Sequence, residues 1–254
     1  GRGKGWKTPD LWDTVNQLPD YKEYQRLETI LEDLYTRKIL VYPFAGFFGR
    51  NSDFPQDDEK KKLLADFMSE EPVRYEGGVE VVHLLEVLRD TIGFEQLKKR
   101  IQVPLTGLRL DPYYGCMLTR PQEIGLDNLE NPTILEDFIR AIGAEVVTDP
   151  FRTECCGSYH TVNAVEVVVD RGYGILGSAV KRGADALVLS CPLCDYNLDN
   201  RQKEITEKYA DFNNIPVFYF TQLLALSLGL GSDICHFDLH YQDPRPLLTS
   251  RAVL

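Results

Sequence analysis

Ala186-Leu-Val-Leu-Ser-Cys-Pro-Leu-Cys194 sets four apolar residues directly before a C-x-x-C pair. An apolar run of this length, bounded by polar residues, reads as a buried strand. Proline directly after Cys191 reads as the first turn of a helix, where its missing N–H is no loss. The stretch is therefore a strand that delivers two thiols to a helix start. Amides at that start point toward the Cys191 sulfur and favour thiolate.

The same alternation extends outward from this unit. Strands are expected at Thr106–Leu110, Glu145–Val147, Ala186–Leu189 and Val217–Phe220, and helices at Thr133–Ile142, Val162–Lys181, Asp195–Tyr209 and Gln222–Leu228. Repeated strand–helix–strand units imply an α/β fold, a parallel sheet flanked by helices on both faces. The remaining cysteines fall after strands as well: Cys116 follows the first, and Cys155-Cys156-Gly157 follows the second through a short loop. Five thiols thus leave the C-terminal strand ends, where α/β sheets build their sites. Gly157 serves a turn that needs positive φ or a close backbone approach to a bound group.

The spacing is Cys116, 38 residues, Cys155-Cys156, 34 residues, then Cys191-x-x-Cys194. Two adjacent thiols cannot both serve one small tetrahedral ion without strain, but they can reach different atoms of a multinuclear centre. An iron-sulfur cluster is therefore the first reading. A structural zinc would need four thiolates and leave one over, and disulfides are the remaining alternative, including a vicinal one at Cys155-Cys156. Cys235 lies outside the array and reads as a buried structural thiol. His160, four residues after Cys156, is the candidate proton relay, with a hydrogen-bond donor as its plainer role. His83 reads as a partly buried histidine at a helix start. His236 and His240 are four apart but precede an irregular Asp243-Pro-Arg-Pro run, so no metal site is assigned to them.

Asp111-Pro-Tyr-Tyr-Gly-Cys116-Met-Leu-Thr-Arg-Pro121, Glu154-Cys-Cys-Gly157 and Ser190-Cys-Pro-Leu-Cys194 together resemble the cysteine-rich CCG domain found in the B subunit of heterodisulfide reductase. Val217-Phe-Tyr-Phe-Thr-Gln-Leu and Asp243-Pro-Arg-Pro are similar to the end of that family. The resemblance implies a noncubane [4Fe-4S] cluster held by Cys116, Cys155, Cys156, Cys191 and Cys194. It also implies a thiol, disulfide or sulfur-carrier substrate, and two partners: the family's ferredoxin-like iron-sulfur subunit and its flavin subunit. That family carries two arrays in tandem. Residues 1–115 contain no cysteine here, so the resemblance leaves only the C-terminal array. Within the same superfamily, the alternative is an electron-conduit subunit of a lactate-, glycolate- or succinate-oxidising complex. Outside it, the alternative is a zinc-binding scaffold.

Composition narrows the classes further. A net charge of −11 argues against nucleic acid, whose phosphates need a surplus of Lys and Arg. No run of twenty apolar residues occurs, and Gly1-Arg-Gly-Lys-Gly-Trp6 lacks the apolar core of a signal peptide. A soluble, cytoplasmic oxidoreductase subunit that does not span a membrane is expected. The organisation changes at Gly77-Gly78, giving a cysteine-free N-terminal region, 1–77, and a cysteine-rich α/β domain, 78–254.

The N-terminal region carries helical spacing at Tyr21, Tyr24, Leu27, Ile30, Leu31 and Leu34, a short strand candidate at Ile39–Phe44 and a helix at Glu59–Met68 whose Lys60–Lys62 face is solvated. The aromatic Tyr42–Phe48 run reads as a core strand and turn, or as an apolar wall where a first cluster would lie. Gly172-Tyr-Gly-Ile-Leu-Gly177 fits a dinucleotide fingerprint in letters but falls inside a helix, so nucleotide binding is not expected there.

Overall fold

The computed structural model describes residues 80–122 and 125–254, with residues 39–42, 58, 59, 62 and 66 of the N-terminal region. Ile39–Tyr42 (β1) is a strand, and residues 58, 59, 62 and 66 are helical and exposed. The expected helix over residues 21–34 and the aromatic run beyond Tyr42 lie outside the described residues.

The larger compact unit contains residues 82–254. Its entry is strand β2 (Glu80–His83), followed by α1 (Leu84–Glu86), which widens into a π-helical turn over Val87–Ile92, and α2 (Phe94–Lys98). Then come β3 (Arg109–Pro112), α3 (Ile134–Ala141), β4 (Glu145–Val146), α4 (Val165–Lys181) and β5 (Ala186–Leu189). A short α5 (Pro192–Asp195) continues as a π-helical turn, Tyr196–Asn200, before α6 (Gln202–Lys208), β6 (Val217–Tyr219), α7 (Phe220–Ser227) and α8 (Arg245–Ser250).

β3 to β6 form one parallel sheet in the order β4-β3-β5-β6. The α/β class expected from the alternation is the one observed. Every residue of β5 is buried, as a central parallel strand covered on both faces requires. Helices α1, α2 and α3 pack together, and α4 packs with α6, so the sheet carries two helical layers. Phe138 of α3 meets Phe220 of α7 edge to face, ring centroids 5.6 Å apart.

The strand order has a consequence for function. From β3 the chain steps outward to β4, then crosses back to β5 on the other side of β3. The connections leaving β3 and β5 therefore diverge, opening a crevice at the carboxyl ends of two adjacent strands. Cys116 leaves β3 and Cys191 leaves β5.

Some boundaries differ from expectation for identifiable reasons. β3 runs over Arg109–Pro112 rather than Thr106–Leu110, because Leu110, Asp111 and Pro112 are the residues in register with Ala186, Leu187 and Val188 of β5. A buried carboxylate inside a strand is not a signal that apolar patterning can read. α7 starts at Phe220 rather than Gln222, since the Gln222 side chain accepts from the Tyr219 amide at 3.0 Å and caps the helix from within. The expected Asp195–Tyr209 helix begins earlier, at Pro192, and is interrupted by the π-helical turn. Gly172–Gly177 lies wholly inside α4, away from any strand-to-helix turn.

Candidate metal centre

Cys116 stands at the end of a loop fastened on both sides. The Tyr113 amide donates to the Val188 carbonyl of β5 at 2.8 Å, and the amides of Tyr114 and Gly115 both donate to the Arg152 carbonyl, at 2.8 and 3.1 Å. The Tyr113 hydroxyl donates to the Glu154 carbonyl at 2.6 Å, clamping the residue just before Cys155. Gly115 has φ +63°, and a Cβ there would lie 3.2 Å from the Cys194 sulfur, so this position needs glycine for both conformation and space.

The CCG turn follows a one-turn helix, Pro150–Thr153, capped by the Asp149 carboxylate on the Phe151 amide. Gly157 adopts the left-handed conformation, φ +86°. Its neighbours are Val168 and Arg171 at ordinary contact distance, so the reason for this glycine is the turn. Cys191 is the N-cap of α5 with Pro192 in the first turn, as the C-P-x-C spelling implies.

These three groups bring five sulfurs together. Cys116 and Cys155 Sγ are 3.9 Å apart, and Cys156 and Cys194 Sγ are 3.5 Å apart. The Cys194 thiol also hydrogen-bonds Cys191, and Cys116 feels the charge of both Cys155 and Cys156. All six cysteines are free, so neither the vicinal pair nor any other is bridged. Among the described residues, no group of three or more Cys, His, Asp or Glu side chains is arranged to hold a single metal ion.

Two thiolates sharing one metal at about 2.3 Å would stand about 3.8 Å apart. The two sulfur pairs stand 3.9 and 3.5 Å apart, close to that spacing. The residues present therefore fit a thiolate-bound metal group.

Hydrogen bonds favour charge on some of these sulfurs over others. Cys191 is pulled down to about 6 by its bond from the Cys194 thiol, aided by the Cys194 and Leu193 amides. Cys156 is also lowered, by Cys194 first and then by the Asn197 side chain and the Ser158 amide. Cys194 is driven up by its hydrogen bonds with Cys156 and Cys191 and by burial, and Cys116 is driven up by burial and by Cys155. The Gly157 amide donates to Cys155 Sγ at 3.3 Å. Backbone and side-chain donors aimed at sulfur are what a thiolate-bound centre needs from its surroundings.

The other sequence candidates fall around this group or away from it. His160 ends the one-turn helix Ser158–His160 after Gly157, with its side chain exposed. Cys235 is buried, its thiol facing the Gln222 and Gly231 carbonyls at 3.7 and 3.8 Å, and burial pushes it up to about 11. His236 is left-handed between two one-turn helices, so His236 and His240 do not share a helix face. His240 instead meets the Gln222 amide at 2.8 Å.

Two residues near the site had no role in the sequence reading, and a third, His83, is where it was expected at a helix start. Tyr113 was visible only as a neighbour of Cys116, and Asn197 as a polar residue three past the C-x-x-C pair. His83 is more deeply buried than expected, 2 % exposed. It caps α1, accepting the Leu85 amide on Nδ1 at 3.1 Å. Nε2 therefore carries the proton and donates to Ser190 Oγ at 2.9 Å, bracing the residue before Cys191 across 107 positions of sequence. Burial lowers His83 to about 4, keeping it neutral.

Residues 111–199 match the family model described as a cysteine-rich domain, CCG. The chain contains a CCG cysteine-rich domain. Its relatives include the 8-methylmenaquinol:fumarate reductase membrane anchor subunit of Wolinella succinogenes, 33 % identical over 68 % of this chain and 61 % of the relative. They also include the B subunit of the ferredoxin/F420H2-dependent CoB-CoM heterodisulfide reductase of Methanosarcina acetivorans, 32 % identical over 72 % of this chain and 62 % of the relative. A protein of Archaeoglobus profundus described as like the heterodisulfide reductase B subunit is 30 % identical over 63 % of this chain and 55 % of its own length.

The chain thus spans about three-fifths of the length of the curated relatives it matches. A crystal structure of a hypothetical protein from Helicobacter pylori superposes with a TM-score of 0.58 at 14 % identity, over 76 % of this chain and 34 % of that one, which establishes a shared fold. Although one relative is named a membrane anchor, no described helix of this CCG-containing chain is long and apolar enough to cross a membrane.

Proposed function

We propose that this chain is the iron-sulfur subunit of a heterodisulfide-reductase-like complex, moving electrons to or from a thiol, disulfide or other sulfur substrate. Residues 78–254 form its cysteine-rich domain, and 1–77 a separate cysteine-free region. Cys116, Cys155, Cys156, Cys191 and Cys194 hold a noncubane [4Fe-4S] group that supplies one-electron exchange when bound. The observation that carries this reading is the convergence of five unbridged sulfurs on one crevice, with pair distances of 3.9 and 3.5 Å.

The remaining residues hold and shield that group. Tyr113 fixes the carbonyl before Cys155, and the amides of Gly157, Ser158, Leu193 and Cys194 satisfy sulfur charge without supplying a proton to titrate. His160, exposed beside the CCG turn, is the group that can pass a proton from solvent to a reduced sulfur species. The partners on this reading are ferredoxin-like and flavin-bearing subunits.

Anaerobically purified protein should contain about four iron and four sulfide per chain, with broad visible absorption that bleaches on reduction. One zinc per chain without sulfide would sink the proposal and favour the scaffold.

An electron-conduit role in a lactate-, glycolate- or succinate-oxidising complex is the second reading, favoured by the similarity to a fumarate reductase subunit. Cleaving a disulfide takes two electrons, while the single array offers one centre. The isolated chain, reduced by dithionite, should therefore turn over small and protein-bound disulfides negligibly until flavin and ferredoxin-like subunits are added. Rapid turnover by the chain alone would reject both partner-dependent readings.

A further inference from the structure

Asn197 is fully buried on the π-helical turn that follows the C-x-x-C pair. It lies three residues after Cys194, so the two side chains share a face, and Cys194 Sγ is in turn 3.5 Å from Cys156 Sγ. The Asn197 amide points into this group: Nδ2 donates to Cys156 Sγ at 3.5 Å. Its carbonyl oxygen is 3.1 Å from the Thr161 hydroxyl, which also reaches the Ser158 carbonyl at 2.8 Å. The Arg201 guanidinium donates to the Thr161 carbonyl at 3.4 Å, tying the CCG turn to the helix that carries Asn197.

Among the five sulfurs, Cys156 has a side-chain amide donor in addition to the Ser158 backbone amide. Burying an asparagine costs free energy unless its polar atoms are paired, and this one pairs its N–H with a sulfur. A donor at a metal-bound sulfur stabilises the more negative state of the centre.

We propose that Asn197 is a redox-tuning residue, its amide hydrogen bond to the Cys156 sulfur favouring the reduced form of the five-cysteine centre; this rests on the iron-sulfur reading above. Asn197 makes and breaks no bond itself and exchanges no electron. Thr161 and Arg201 hold the CCG turn against it, so the donor distance is set by packing between the turn and the helix.

The test uses the full chain loaded anaerobically, as wild type, Asn197→Leu and Asn197→Asp. Iron and sulfide are measured first, and then the reduced fraction at the wild-type midpoint, set with redox dyes and read by electron paramagnetic resonance. Leucine keeps the branched heavy-atom shape and removes the donor, so the reduced-to-oxidised ratio should fall about tenfold, a shift of about 59 mV for one electron. Aspartate should lower it at least as far. An unchanged ratio at full iron and sulfide overturns the tuning role and leaves the iron-sulfur reading intact, whereas wild-type protein without iron and sulfide overturns both.

Should the variants lose iron, wild-type protein labelled with ¹⁵N-asparagine decides the matter. The reduced centre should show hyperfine coupling to the labelled amide, and its absence rejects the proposal.

Discussion

Cys194→Ala should strip the centre, taking iron from about four atoms per chain to near zero and removing the visible absorption. Cys194 is a buried link of the group, against Cys156 at 3.5 Å, bonded to Cys191 and approached by Gly115. Ligation of such a group is part of the folding free energy, so its loss should also lower the melting temperature, by on the order of 10 °C for a domain of this size. Cys191→Ala should do the same on the proposed reading, because it removes one of the five sulfurs and the one toward which the Leu193 and Cys194 amides are directed. Cys235→Ala is the contrasting case. It removes one buried sulfur that faces carbonyls outside the array, and should cost no more than about 2 kcal/mol while leaving iron, sulfide and spectrum unchanged. Bleaching of Cys235→Ala, or full iron content in Cys194→Ala, would show that the ligand set is wrongly drawn.

Asp111→Asn should remove the share of the pH dependence of stability between about pH 4 and pH 8 that Asp111 contributes. Asp111 is buried on β3, its Oδ1 without a hydrogen-bond partner, facing Asp149 and Arg152 from the loop after β4, Glu136 from α3 and Arg182 at the end of α4. Burial first, then the charges of Asp149 and Glu136, push it from 3.8 up to about 8, against the opposing pull of the two arginines. The folded protein thus holds a proton that the unfolded chain has released, and binds more protons than the unfolded chain throughout that window. Stability from this group is present in full below about pH 4 and is lost as pH rises through about 8. A shift of this size corresponds to on the order of 5 kcal/mol. Asparagine copies the neutral acid, so urea unfolding at pH 5 and pH 8.5, on wild type and variant in the same state of metal loading, should show a much steeper loss in wild type. Parallel losses would mean that Asp111 stays ionised in the fold.

The legible parts of this protein are those whose physical cause is local. Ala186–Leu189 reads as a buried central strand because every position is apolar, and Cys191-Pro192 reads as a helix start because proline suits the first turn. Gly157 reads as a left-handed turn residue because only glycine takes that conformation without penalty, and the observed φ of +86° agrees. The alternation of such units carries the α/β class and places all five thiols after strands. Where local cues conflict with distant packing, expectation and structure part. Asp111 looks like a strand terminator, yet it sits inside β3 because the register with β5 places it there and the surrounding fold keeps it buried.

The supports of the site are legible only in three dimensions. His83 reaches Ser190 across 107 positions, Tyr113 reaches Glu154 across 41, and Asn197 reaches Cys156 across 41. No periodicity or spacing rule links such residues, since each contact exists only once the strands have taken the order β4-β3-β5-β6 and brought three loops to one crevice. The five thiols and their candidacy as ligands are written in residue type and spacing. The donors, clamps and close approaches around those thiols come from sheet order and register, because a hydrogen bond depends on distances of tenths of an ångström that the chain reaches only by packing.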